Sequence, residues 1–246
     1  SKEKYKIILI IIITLGFILR LVGFNFEYLF DSVSDENYPN SCVLRMINNR
    51  TLIPNNCGNP YPALYTLINL PSILTGLFIL LFKNNFNLEI VKQLIALYPF
   101  ASTLPLVRLL AVIIGTANIF LIYKITKLLF NSPLKGLIAA AFLAVSLLPV
   151  QLSHWGKAWT FVLFFTFLAL YFAVLIYQTG RRKHYILNAI FTSSAFGIHY
   201  GGFFSVIFLF LGHFFRKFKT SPVSFKECFR NNKNLYLSLG LNLFLS

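Results

Sequence analysis

Six apolar stretches, at residues 7–24, 64–82, 104–123, 134–153, 159–178 and 185–215, dominate the chain, and short basic clusters separate them. The first five are each close to the roughly 20 residues that an α-helix needs to cross a hydrocarbon layer. Composition agrees: 57% hydrophobic and 12% charged residues, with a mean hydropathy of +0.71, lie outside the range of soluble domains. The fold class is therefore an all-α, polytopic membrane helical bundle, one transmembrane domain over 1–246. A net charge of +15 invites a nucleic-acid reading. The cations, however, sit in clusters between apolar stretches, where the positive-inside rule expects them, and nucleic-acid binding is rejected.

Lys2, Lys4 and Lys6 precede the first stretch, which has no small-residue cleavage site and carries Arg20-Leu21-Val22 where one would stand. It reads as an uncleaved first span. The chain ends inside a new apolar run that begins after Lys233, too short to cross, so an N-terminal part of a longer protein is expected. Cys42 and Cys57 share a loop, which leaves two readings open. In an oxidising space they bridge about 15 residues, worth roughly 3 kcal/mol; otherwise they are two thiols.

Four basic clusters constrain the topology: Lys2, Lys4 and Lys6; Lys124, Lys127 and Lys135; Arg181, Arg182 and Lys183; Arg216, Lys217 and Lys219. All belong on the cytoplasmic side. From a cytoplasmic N-terminus, the first span exits and 104–123 must return, so residues 25–103 begin and end outside as a first extracytoplasmic loop. Residues 88–100, with Glu89 and Lys92, are too short and polar to supply a second crossing there. Stretch 64–82 is thus expected to lie along the outer surface as a juxtamembrane helix, broken near Pro71. Stretches 134–153 and 159–178 then cross out and back, which puts Ser153-His154-Trp155-Gly156-Lys157-Ala158 outside. Stretch 185–215 lies between two basic clusters and must go out and return in halves of roughly 22 Å. It is either a tight helical hairpin or a pair broken at membrane depth around Gly197-Ile198-His199-Tyr200-Gly201-Gly202, with protein or a wet cavity covering the backbone.

The chain holds seven carboxylates, and four of them, Glu27, Asp31, Asp35 and Glu36, fall within ten residues of the first outer loop. A solvated acidic loop is the bland reading. Its position beside a surfacing helix and a second polar turn favours chemistry: one carboxylate takes a proton from a hydroxyl while its neighbour orients it. Arg108, His154 and Lys157 supply cations or donors on the same side, able to bind a phosphate or simply to anchor at the interface. His199 reads first as a hydrogen-bonded core histidine and second as a substrate contact. No nucleotide-binding, zinc-protease or nucleophile-elbow pattern occurs, and neither a cofactor nor a metal is called for.

The ordered set of short motifs resembles the polyprenyl-phosphate-sugar dependent glycosyltransferases of the GT-C fold, which include protein mannosyltransferases and the lipid A aminoarabinose transferase. The matching stretches are Leu19-Arg20-Leu21, Ser34-Asp35-Glu36, Tyr61-Pro62-Ala63-Leu64-Tyr65, Val107-Arg108-Leu109-Leu110 with Gly115-Thr116, and Leu148-Pro149-Val150-Gln151-Leu152-Ser153-His154. The resemblance implies Asp35 as general base and Glu36 as its companion. It further implies transfer of a hexose or pentose from a polyprenyl phosphate to an acceptor hydroxyl of a protein, lipid or glycan at the outer face, with inversion. Tyr61, Arg108, His154, Lys157 and His199 stand as candidate substrate contacts. Relatives often carry an acid in or after the second outer turn; here Gly156-Lys157-Ala158-Trp159 stands there, which argues against a two-carboxylate metal site. A transporter or lipid flippase is the runner-up, disfavoured by the lack of an internal repeat and of charges at mid-span.

Overall fold

The computed structural model describes residues 2–25, 36, 38–51, 53–54, 63–97, 103–220 and 232–245. Among these residues are eleven α-helices and one 3-10 turn, and no strand. In chain order the helices are α1 (Lys2–Leu21), α2 (Tyr38–Asn48), α3 (Ala63–Lys83), α4 (Leu88–Leu97), α5 (Leu104–Phe130), α6 (Pro133–Val145) and α7 (Leu147–His154). Then follow α8 (Trp159–Thr179), α9 (Arg182–Phe196), the 3-10 turn (Tyr200–Ser205), α10 (Val206–Thr220) and α11 (Lys233–Leu245). Four segments are long and apolar enough to cross a membrane: Ala63–Lys83, Leu104–Phe130, Trp159–Thr179 and Tyr200–Lys219. The bent pair of α6 and α7 makes a fifth. The chain is an all-α polytopic membrane bundle.

Because lipid tails are as apolar as the side chains, membrane helices associate through close packing and buried polar bonds rather than through hydrophobic burial. Both devices are present. Ala140 and Ala144 of α6 let α1 and α5 approach around Leu9, Ile119 and Tyr123. At Gly115 of α5, an added Cβ would sit 2.2 Å from Ser153 Oγ on α7, so only glycine permits that crossing. Asn188 of α9 donates to Ala169 O of α8 at 2.7 Å, and Ser193 Oγ bonds Asn242 Oδ1 of α11 at 3.1 Å.

Three expectations change. Helix α5 continues past 123 to Phe130, so Lys124 and Lys127 ride on its last two turns, over the rings of Phe120 and Tyr123. Asn131, in the left-handed conformation, ends it. Helix α3 is not broken at Pro71. The proline removes one ladder bond, yet the helix continues through it, with Tyr65 and Ile73 fully buried on either side.

The largest change is in 134–153, which forms not one rod but α6 and α7, bent by 55°. The cause is Pro149. Its ring, in a continuous helix, would clash with the carbonyl of Val145, and it offers no N–H. The carbonyls of Leu143 and Ala144 thereby lose their helical partners, which in lipid is costly unless another donor arrives. Arg20, fully buried at the end of α1, supplies it: Nη2 donates to Leu143 O and Nη1 to Ala144 O, both at 3.0 Å, and Nη1 also to Gly16 O. A cation at a helix C-terminus is favoured by the dipole as well. Replacing Arg20 by Leu is expected to lower stability by about 3 kcal/mol, since two buried carbonyls are orphaned together. The melting midpoint in detergent measures this, with Arg20→Lys falling between the two.

Stretch 185–215 turns back on itself as α9 and the 3-10 turn with α10, both packed on α8. The break at 197–199 is covered: Leu64 N of α3 donates to Gly197 O at 3.1 Å, and Ile198 N and His199 N both donate to Ala195 O.

Candidate active site

The first loop and the second turn meet at one end of the bundle through Glu36. Its carboxylate is 1% exposed and lies on Arg108, which opens the first turns of α5 and is itself fully buried. The pair is bidentate, Arg108 Nε to Oε1 at 2.6 Å and Nη2 to Oε2 at 2.7 Å. Such fork-on-fork contact is the strong form of an ion pair. Oε1 also accepts the backbone N–H of Gly156 at 2.6 Å, and Arg108 Nη1 donates to Phe24 O, just past α1, at 3.2 Å. The Gly156 peptide is held from its other side by Tyr65, whose phenol donates to Gly156 O. The Glu36–Arg108 pair thus ties together the segment just past α1, α5, the turn between α7 and α8 and, through Gly156, α3.

The local reasons are visible in the sequence around each group. Gly156 must be glycine: an added Cβ would come within 2.9 Å of Val107 Cγ1 and 3.3 Å of Glu36 Oε1, pushing the carboxylate off its partners. Beneath the pair, Cys42, Val43 and Met46 of α2 pack with Ile73 and Val107. Cys42 is disulfide-bonded. Cys57 lies outside the described residues, as do Asp35, Asp31, Glu27 and Tyr61. Asp35 is the covalent neighbour of Glu36.

The remaining candidates surround this joint without entering it. His154, at the end of α7, has Nε2 3.2 Å from Leu19 O of α1. Lys157 is half-buried with its ammonium 5.3 Å from the centre of the Trp155 ring. His199 sits with its ring centroid 4.3 Å from that of Trp159, and its Nδ1 accepts the Gly201 N–H at 3.0 Å. That bond requires a neutral ring, in keeping with burial, which pushes His199 below the ordinary histidine pKa. Burial pushes the phenol of Tyr38, at the start of α2, above the ordinary tyrosine value; nearby Tyr200 adds to this and Arg45 opposes it.

The sequence leaves Arg108 either to bind a phosphate or to anchor at the interface; the structure adds a partner that the sequence does not name, the carboxylate of Glu36. Sequence reasoning assigned no role to Tyr65 or to the Gly156 peptide. Tyr65 stood within a matched motif, and Gly156 was the one glycine of the second turn; no signal in the linear sequence pairs them. Chemically, the arrangement holds one acid of the first loop, Glu36, in place with both of its carboxylate oxygens engaged.

The family model for dolichyl-phosphate-mannose-protein mannosyltransferases matches residues 94–226, more than half of the chain. No curated protein and no solved structure matches it. The matched stretch contains Arg108, the α6–α7 bend and Gly156, the parts that Glu36 binds or that deliver its partners, and on this ground the chain belongs to the dolichyl-phosphate-mannose-protein mannosyltransferase family and is a membrane glycosyltransferase of the GT-C type.

Proposed function

We propose that this chain moves a sugar from a polyprenyl-phosphate donor to an acceptor hydroxyl at the extracytoplasmic membrane face, inverting the anomeric centre, with Asp35 as general base. The observation that carries the reading is the buried joint of Glu36 with Arg108 and the Gly156 N–H. A carboxylate with both oxygens occupied serves poorly as a base, since protonating it would cost the ion pair. It serves well as a fixed mount for the residue before it. In this division Asp35 accepts the acceptor's proton as its oxygen attacks the anomeric carbon, the bond to the lipid phosphate breaks, and the phosphate leaves with its negative charge. Lys157 and His154, at the second turn, are the groups proposed to meet that phosphate. Tyr61 and His199 complete the proposed substrate contacts.

Two observations support the outward placement. Cys42 is in a disulfide, a bond that persists in oxidising compartments. Helix α3 touches the same end of several helices, at Gly156 and Phe161 beside the start of α8, at Gly197 after α9 and at Val107 in the first turn of α5. That pattern suits a juxtamembrane helix laid across the bundle, whereas a span would run the length of a neighbour.

Sidedness is tested by impermeant thiol labelling of intact cells in a Cys228→Ser background. Asn49→Cys, at the exposed end of α2, is expected to react and Lys135→Cys to be protected; the reverse pattern overturns the orientation. Activity is tested by offering the protein a panel of polyprenyl-phosphate sugars. Transfer from at least one of them, and none from a nucleotide sugar alone, is expected; no transfer from any member sinks the reading.

A further inference from the structure

We infer that Trp159, braced by His199, is the surface on which the sugar ring of the donor stacks; this rests on the reading of the chain as a lipid-phosphate-sugar transferase. Trp159 is the first residue of α8, three positions after the Gly156 peptide that Glu36 holds, so its backbone is fixed to the buried joint through a short turn. It is 42% exposed although its ring is packed at 4.3 Å and 43° against His199. His199 in turn is held by the Gly201 N–H at the α9 break. The indole is therefore a rigid aromatic plane with free area, three residues along the chain from the peptide that Glu36 binds.

A pyranose presents one face of C–H groups between edges of hydroxyls. Such a face suits an aromatic surface, whose negative π cloud attracts the weakly positive hydrogens, while the hydroxyls remain available to polar neighbours. Tryptophan offers the widest plane, and bracing it in advance lowers the entropy lost on binding. The bland alternative is an interfacial anchor at headgroup level. An anchor needs only to be amphipathic; it needs neither a second ring against it nor a backbone tied to the joint that carries the acids. Tyr200, 49% exposed and with its ring 6.4 Å from that of His199, continues the aromatic rim.

The experiment compares wild type, Trp159→Ala and Trp159→Phe in donor titrations with polyprenyl-phosphate mannose and with bare polyprenyl phosphate. Trp159→Ala is expected to raise the donor KM about tenfold, with kcat moved by less than about threefold, while Trp159→Phe stays within about threefold of wild type. Tryptophan fluorescence of the wild type is expected to change on adding the sugar-bearing lipid, to change far less with the bare lipid phosphate, and to lose that difference in Trp159→Phe. An unchanged KM in Trp159→Ala, or equal fluorescence responses to the two lipids, overturns the inference. Failure of wild type to transfer sugar from any donor overturns the functional reading instead, and the fluorescence arm still decides whether Trp159 senses a sugar.

Discussion

Asp35→Asn is expected to reduce sugar transfer by about 10²–10⁴-fold while expression, membrane insertion and melting temperature stay at wild-type levels. The size follows from what a general base contributes when it takes a proton from a hydroxyl that is otherwise a weak nucleophile at neutral pH. Asparagine keeps the volume and one acceptor oxygen but cannot take the proton. The unchanged stability is expected because Glu36 bonds Arg108 and the Gly156 N–H, with Arg108 reaching on to Phe24 O, and the substitution leaves all of these groups in place. Steady-state assays should show the loss in kcat with donor KM little altered. Undiminished turnover in Asp35→Asn would falsify the assignment of the base, and a loss accompanied by a collapse in melting temperature would make Asp35 a structural residue.

Arg108→Met has the second large effect, on stability. It leaves the Glu36 carboxylate buried with one N–H in place of three, and breaking a buried pair by removing one member costs about 3–5 kcal/mol. Much of that cost is the stranded charge rather than the lost attraction. It follows that Glu36→Leu combined with Arg108→Met should be more stable than Arg108→Met alone, since no charge is left uncompensated. Activity should not return in the double variant, because the Gly156 N–H and Phe24 O lose their partners and the first loop loses its tie to the second turn. Thermal unfolding in detergent together with the transfer assay separates the two effects. A double variant no more stable than the single one would show that the ion pair itself, and not the stranded carboxylate, sets the cost.

How much of this could be read without coordinates depended on the range of the interactions involved. The apolar runs announced the helices because a span needs about 20 residues whatever it packs against. The break near 197–202 was visible for the same local reason, in a run too short for two full crossings. The bend between α6 and α7 was also written locally, in Pro149, yet the continuous apolar stretch around it read as a single rod. What made the bend tolerable lay 123 and 124 residues away, in Arg20. The continuity of α3 through Pro71 was likewise not legible from the proline.

The site divides in the same manner. By itself the sequence determined the class of protein, the rarity of its acids and their clustering at 27–36, and the second polar turn at 153–158, because composition and hydropathy are properties of single residues and short windows. Only the tertiary structure decided that Glu36 is buried on Arg108 and the Gly156 N–H, and that Tyr65 closes the far side of that peptide. A buried carboxylate must find its donors wherever the fold brings them, here 72 and 120 residues along the chain. No window of sequence contains such a pairing, so the difference between the acid that holds the loop and the acid proposed to act within it belongs to three dimensions.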